Sequence, residues 1–175
     1  MHPTQRKGMR RRGSAGAVRF ITFSCAQRKR LLATPRLRDL VTLQLRAWIE
    51  PHDIAMHAWV VLSNHIHLLL TPRSGDLGRS LAILKKDTAI AVLPHLHNEP
   101  KLWQAGGGYD REIWSHQHFW KTYHYIHQNP CVAGLAKLPT DWRWSSATEW
   151  FGRPRDHAPQ VEPPPDWLID LSGTL

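Results

Sequence analysis

One stretch constrains the fold of this chain more than any other: Ala58-Trp59-Val60-Val61-Leu62-Ser63-Asn64-His65-Ile66-His67-Leu68-Leu69-Leu70. Two β-forming apolar runs are separated only by Ser63-Asn64. So short a break between strands makes an antiparallel hairpin. We read Ile54 to Leu62 as one strand and His65 to Leu70 as the next, ended by Thr71-Pro72.

The rest of the chain is organised around that hairpin. Val18 to Ser24 alternates and is rich in β-formers, which predicts the first strand. Thr34-Pro35 opens a helix whose apolar positions Leu37, Leu40, Val41, Leu45 and Trp48 recur at helical spacing until Glu50-Pro51. A second helix is predicted over Leu77 to Leu93, with Leu81, Leu84 and Ala89 on its inner side and Lys85-Lys86 open to solvent or phosphate. Short strands are expected around Leu102-Trp103 and from Arg111 to Trp114. A third helix runs from Ser115 to Gln128 and stops at Asn129-Pro130, because proline removes a helix donor. Trp142 to Ser146 is a short Trp-rich piece, and Arg153 to Pro165 is proline-rich and extended. Strand–helix–strand–strand–helix–strand is an α+β plan of the ferredoxin-like split kind. We expect an antiparallel sheet with helices packed on one face and a further C-terminal helix. The expected division is a basic arm over 1–16, one domain over 17–150 and a Pro-rich tail over 151–175.

The partner is constrained by charge. The chain carries a net charge of +9 with a pI near 10.2, which favours a polyanion, either nucleic acid or an anionic membrane surface. The basic N-terminus is either a solvated arm or a phosphate-binding one. It lacks the apolar core of a signal peptide, and no apolar run approaches the roughly 20 residues that span a bilayer. Two cysteines, Cys25 and Cys131, are too few for a disulfide framework or a zinc ribbon. A soluble protein of the reducing cytoplasm is expected.

Two features carry chemistry. On a strand, His65 and His67 point the same way while Ile66 points oppositely. Such a pair is either a two-point clamp for a divalent metal or a half-buried polar pair, and the chain has 12 histidines from which pairs arise by chance. In the last helix Tyr125 and Asn129 are four residues apart and share a face. If that face looks onto the histidine strand, a phenol and an amide oxygen approach the same point. A phenol with an ordinary pKa of about 10 is a poor nucleophile until a nearby cation favours its ionised form. The plainer reading of Tyr125 is a half-buried helix aromatic. Tyr123, the rival, is turned about 160–200° away around the helix, so the two cannot both face the histidines.

Together the two blocks resemble a family. The Ala58–Leu70 stretch is similar to the histidine–hydrophobic–histidine block of single-tyrosine (HUH) transposases of insertion-sequence type. Tyr125-Ile126-His127-Gln128-Asn129-Pro130-Cys131-Val132-Ala133-Gly134-Leu135, followed by Trp142-Arg143-Trp144-Ser145-Ser146-Ala147, resembles the C-terminal block of REP-associated tyrosine transposases. Leu102-Trp103-Gln104 and Tyr109-Asp110-Arg111-Glu112-Ile113 also resemble that subgroup, and the likeness covers about residues 17 to 150. The resemblance implies a ferredoxin-like catalytic domain using Mg²⁺ or Mn²⁺. His65 and His67 then map onto the metal ligands and Asn129 onto a third polar ligand, a position that varies among relatives. Tyr125 maps onto a nucleophile that forms a 5′-phosphotyrosine link and releases a 3′-hydroxyl. Because that link conserves the phosphodiester's energy, a second DNA end can be joined without a high-energy cofactor. The chain departs from the pattern at three places: Gly106-Gly107-Gly108 loosens the segment before Tyr109, Cys131 stands where valine is common, and Arg143 where proline is common.

The reading that follows is a bacterial, cytoplasmic, nucleoid-associated transposase, more a monomer than a homodimer, that nicks and rejoins single-stranded DNA at a hairpin repeat. Lys7, Arg10, Arg11, Arg12, Lys85, Lys86, Arg111 and Lys121 are the candidate phosphate contacts. His57 and His127 are read as structural or DNA-facing. Most of the nine tryptophans are read as core, and none is assigned to a base. One alternative is a non-cutting hairpin-binding or regulatory protein on the same fold. Another is an RNA-binding protein, which a DNA-versus-RNA competition at fixed salt would separate.

Overall fold

The computed structural model describes residues 15–106, 108–149 and 158–166. Seven principal elements follow in order: β1 (Val18–Ser24), α1 (Pro35–Ile49), β2 (Ile54–Val61), β3 (His65–Pro72), α2 (Leu77–Val92), β4 (Tyr109–Ile113) and α3 (His116–Val132). The strands form one antiparallel sheet in the order β2-β3-β1-β4. Two βαβ units are thereby split, each with a strand of the other lying between its own pair, so the sheet is ferredoxin-like.

Local chemistry accounts for the helix starts. Thr34 caps α1 by accepting a hydrogen bond from the Leu37 amide, with Pro35 in the first turn. Asp76 caps α2 through the amides of Gly78 and Arg79, and Ser115 caps α3 through that of His118.

Only two of the helices share a face of the sheet. Strand alternation puts Ile21, Phe23, Ile66 and Leu68 on one side, where α1 and α2 lie. Lys85 of α2 sits over the Phe23 ring, and Trp48 of α1 donates to the Ser80 carbonyl of α2. Phe20, Thr22, His65 and His67 point to the other side, and there α3 packs alone, with Tyr125 against Phe20 and His67. One layer is a buried apolar core; the other is where side chains with chemistry meet.

Three departures from the expected elements have a clear physical cause. Helix α3 continues through Pro130 to Val132. The missing proline donor costs a single bond to the Ile126 carbonyl. The helix then closes beyond it, with Leu135 N–H bonded to the Pro130 carbonyl and Gly134 N–H to that of Cys131. Gly134, at φ +67°, is the true stop. Strand β4 begins at Tyr109, two residues early. A Cβ on Gly108 would lie 2.2 Å from the Thr22 carbonyl oxygen, and its φ is +73°. That glycine therefore allows the segment onto β1, and the expected looseness becomes a tight approach. Leu102-Trp103 makes only a single bridge, Trp103 to Cys25, because β1 turns away at Ala26–Arg28.

The outer edge of β2 is covered. Val61 N–H donates to the Trp144 carbonyl and Glu162 N–H to that of Met56, while Trp59 Nε1 donates to the Pro159 carbonyl. Residues 158–162 of the Pro-rich segment thus lie along β2, which shields an open strand edge. Cys25 and Cys131 are both free thiols. No helix among the described residues is long and apolar enough to cross a membrane.

Candidate active site

Strand register builds the site. Pairing of β1 with β3 sets Thr22 opposite His67 and Ser24 opposite His65. The two imidazoles point their Nε2 atoms at one another, 3.1 Å apart, with rings nearly perpendicular. Each ring is held by its other nitrogen: His65 Nδ1 bonds Asn64 Oδ1 at 2.6 Å, and His67 Nδ1 bonds Thr22 Oγ1 at 2.6 Å. Burial pushes the His67 pKa down to about 3, with His65 adding to the effect and an Asn129 hydrogen bond opposing it. His65 is lowered by burial and then by the Arg28 charge. Both rings are neutral near pH 7, the form that ligates metals.

Helix α3 brings up the remaining groups. The Tyr125 ring lies 5.4 Å from the His67 ring and 6.0 Å, edge-on, from Phe20. It is 52% exposed, so its phenol is open to an incoming strand. Four residues on, Asn129 donates through Nδ2 to the Tyr125 carbonyl. The side chain also hydrogen-bonds toward the two imidazoles and raises their pKa values, as an amide oxygen accepting from them does. Tyr123 points the other way. It is buried between Phe119 and His127, and burial, then Glu149, pushes its pKa upward, so its phenol stays protonated.

Could a divalent cation sit here? Two Nε2 atoms 3.1 Å apart match the spacing of neighbouring ligands about 2.1 Å from one ion at right angles. Both Nδ1 atoms are hydrogen-bonded, as the non-ligating ring nitrogens of metal-bound histidines are. The residues fit such an ion. No group of three or more His, Cys, Asp or Glu side chains converges among the described residues; the candidate donors are the two imidazoles and the Asn129 amide. Such a set leaves coordination positions open to a phosphate or water.

The other expected residues fall into separate groups. Arg111 and Lys121 line an open groove beside Tyr125. Lys85 lines a neighbouring depression with Arg28 and Tyr109, but its ammonium holds the Gly106 and Gln104 carbonyls. Lys86 is exposed on α2. Lys7, Arg10, Arg11 and Arg12 lie outside the described residues. His57 and His127 do not approach the site. His57 bonds the Glu162 carbonyl and Thr71 Oγ1, and His127 bonds Ser146 Oγ. Arg143 pairs with Asp39 across the surface.

Four site residues escape sequence reasoning. Thr22 is signalled only by its polar place in an alternating strand. Asn64 stands beside the histidines but reads as a turn residue; it also donates to the Arg28 carbonyl, tying that turn to His65. Gln27 and Arg28 adopt φ of +53° and +57°, successive left-handed residues of the strained kind found near functional sites. No local pattern announces them.

The split βαβ sheet with a further helix on its opposite face is a fold that solved structures share. The chain is similar to the structure of a REP-associated tyrosine transposase bound to a REP hairpin, with a TM-score of 0.67 and 20% identity. That match covers 88% of this chain and 98% of that one. It is also similar to a candidate transposase from Deinococcus radiodurans R1, at TM-score 0.50 and 19% identity, over 67% and 94% of the two chains. No family model matches the sequence, and no curated protein matches it. At these identities the fold is what is shared.

Proposed function

We propose that the chain is a REP-associated-type tyrosine transposase: a metal-dependent DNA transesterase that nicks and rejoins single-stranded DNA at hairpin repeats. The observation that carries this reading is the placing of an exposed tyrosine over two converging, neutral imidazoles on a fold shared with such an enzyme. His65, His67 and Asn129 would hold Mg²⁺ or Mn²⁺, which when bound supplies positive charge to a phosphoryl oxygen and to the leaving oxygen. Tyr125 gives up its phenolic proton and its oxygen bonds to phosphorus. The phosphorus–O3′ bond breaks, and the departing oxygen takes a proton to become a 3′-hydroxyl. The 5′ end is left as a phosphotyrosine that a second 3′-hydroxyl can attack. Phe20 and His67 fix the height of the Tyr125 ring, and Asn129 braces the helix turn that carries it. A monomer acting in the bacterial cytoplasm, on or near the nucleoid, fits this reading.

The test is a denaturing-gel assay on hairpin DNA with unpaired flanks, in Mg²⁺, Mn²⁺ or EDTA, for wild type and Tyr125→Phe. A metal-dependent, protein-linked DNA band that vanishes in Tyr125→Phe is expected. Tight hairpin binding with no covalent band in either metal would instead identify a non-cutting binder.

A further inference from the structure

Beside Tyr125 runs a groove of about 560 Å³, lined among others by Phe20, Tyr109, Arg111, Trp114, Lys121 and Tyr125. Its charge follows from strand alternation. On β4, Tyr109 and Arg111 share the face of Thr22 and Phe20, while Asp110 and Glu112 point to the other side and bind Arg19 there. The acids are thus removed from the groove and the cation is left in it. Lys121 joins from α3. The local potential is positive enough that, beyond the effect of its own partial burial, His118 is held below its ordinary pKa by Arg111 and Lys121.

Its walls are aromatic. Phe20 meets Tyr109 and Tyr125 edge-on at 5.6 and 6.0 Å, so these rings form a row that ends at the phenol. Trp114 is 71% exposed, at the joint between β4 and α3, with His118 the ring beside it. Buried Ile113 precedes it and the capping Ser115 follows, so its backbone is anchored while its indole face is open. Cations interleaved with open ring faces fit a polyanion that carries π-faces of its own. A duplex keeps its base faces inside the stack, whereas an unpaired strand presents them.

We propose that this groove is a subsite for unpaired DNA next to the scissile phosphate, with a base stacked on Trp114 and backbone phosphates met by Arg111 and Lys121. The proposal rests on reading the chain as a DNA-acting tyrosine transesterase and goes beyond it by assigning the base contact. Trp114 is a positioning residue: it orients the strand and touches no reacting atom.

The test is binding rather than cutting. Fluorescence anisotropy would follow the full chain with labelled dT₁₂, with a twelve-unit abasic deoxyribose-phosphate strand of equal charge, with U₁₂ and with a twelve-base-pair duplex, all at one salt concentration. We expect Trp114→Ala to weaken dT₁₂ binding about tenfold, the loss of one base stack, and Trp114→Phe to recover most of it. The abasic strand should bind wild type and Trp114→Ala alike, whereas Arg111→Ala should weaken both strands. An unchanged dT₁₂ affinity in Trp114→Ala, or an equal loss on the abasic strand, overturns the stacking assignment. Preference for duplex or for U₁₂ in wild type overturns the choice of unpaired DNA. Matching thermal melts for wild type and variants guard against misfolding. A protein that never cuts can still pass this test, and one that cuts normally can still fail it.

Discussion

Four buried or half-buried histidines flank the sheet on its α3 side, and they divide into two kinds. His57 has both ring nitrogens bonded within the protein, to the Glu162 carbonyl and Thr71, and His127 is fixed by Ser146 and by the Tyr123 ring at 4.2 Å. His65 and His67 are each fixed through Nδ1, and their Nε2 atoms meet. Burial is similar for His57, His67 and His127, at 2, 4 and 6% exposure, so burial does not distinguish a candidate ligand from a structural residue. What differs is where Nε2 points: to a hydroxyl within the protein, Thr71 for His57 and Ser146 for His127, or to a point shared by His65 and His67. The same lesson separates Tyr123 from Tyr125 two residues apart: one phenol is enclosed by rings, the other opens onto a cationic groove.

The two tyrosines provide the sharpest way to break this division. Tyr125→Phe should reduce formation of protein-linked DNA by on the order of a thousandfold or more, since it deletes the atom we propose bonds to phosphorus. Tyr123→Phe should keep the covalent product within a few-fold of wild type. A covalent band that survives Tyr125→Phe and disappears in Tyr123→Phe would reverse the assignment. The histidines come next. His67→Ala should weaken Mn²⁺ binding, read by calorimetry, by more than about a hundredfold, because even outer-shell partners are worth about 10–100-fold. His127→Ala should leave Mn²⁺ binding intact and lower Tm by roughly 5–10 °C, through the lost Ser146 hydrogen bond and a cavity beside Tyr123. Equal losses of metal affinity in both variants would dissolve the distinction.

Stability against pH sharpens the structural half. Burial, and then the charge of His124, pushes the His127 pKa from 6.5 down to about 4; Tyr123 and Ser146 enclose the ring. The folded state therefore holds this ring neutral where the unfolded chain protonates it. Its contribution is complete above about pH 6.5 and is lost as pH falls through about 4, an effect of roughly 3 kcal/mol. Replacing it by glutamine, which does not titrate, should flatten Tm against pH across that window relative to wild type. An unchanged slope would mean that His57 and the other buried groups carry the acid sensitivity.

How much of this was legible in the sequence depends on how far apart the interacting residues lie. The β1 limits, the hairpin, and the pairing of His65 with His67 and of Tyr125 with Asn129 follow from periods of two and 3.6 residues, which are local. The α+β plan follows from element order. The end of α3 was misplaced because Pro130 is a louder signal than Gly134, although only the glycine closes the helix. The start of β4 and the removal of Asp110 and Glu112 from the groove depend on register against β1, which no local period specifies. That α3 faces α1 and α2 across the sheet is likewise a matter of packing. Trp114 shows the same limit. As one of nine tryptophans it reads as core, and only the joint between β4 and α3 turns it outward.

The smallest expected effect tests the most distant contact. Thr22 and His67 are separated by 45 residues, yet share a 2.6 Å hydrogen bond across the β1–β3 register. When Nδ1–H donates to the hydroxyl, the His67 Nε2 lone pair is free for a cation; when the hydroxyl donates to Nδ1, the Nε2 hydrogen can instead reach His65. The hydroxyl therefore permits either tautomer, and a metal would select the first. Thr22→Val keeps the shape and removes the partner, so it should weaken Mn²⁺ binding about tenfold, while Thr22→Ser should stay near wild type. Both variants should melt with wild type to within a few degrees, because Thr22 is only half-buried. If Thr22→Val bound Mn²⁺ unchanged, the His67 ring would be oriented by packing against Phe20, 5.5 Å away, and the contrast between the two kinds of histidine would rest on the Nε2 atoms alone.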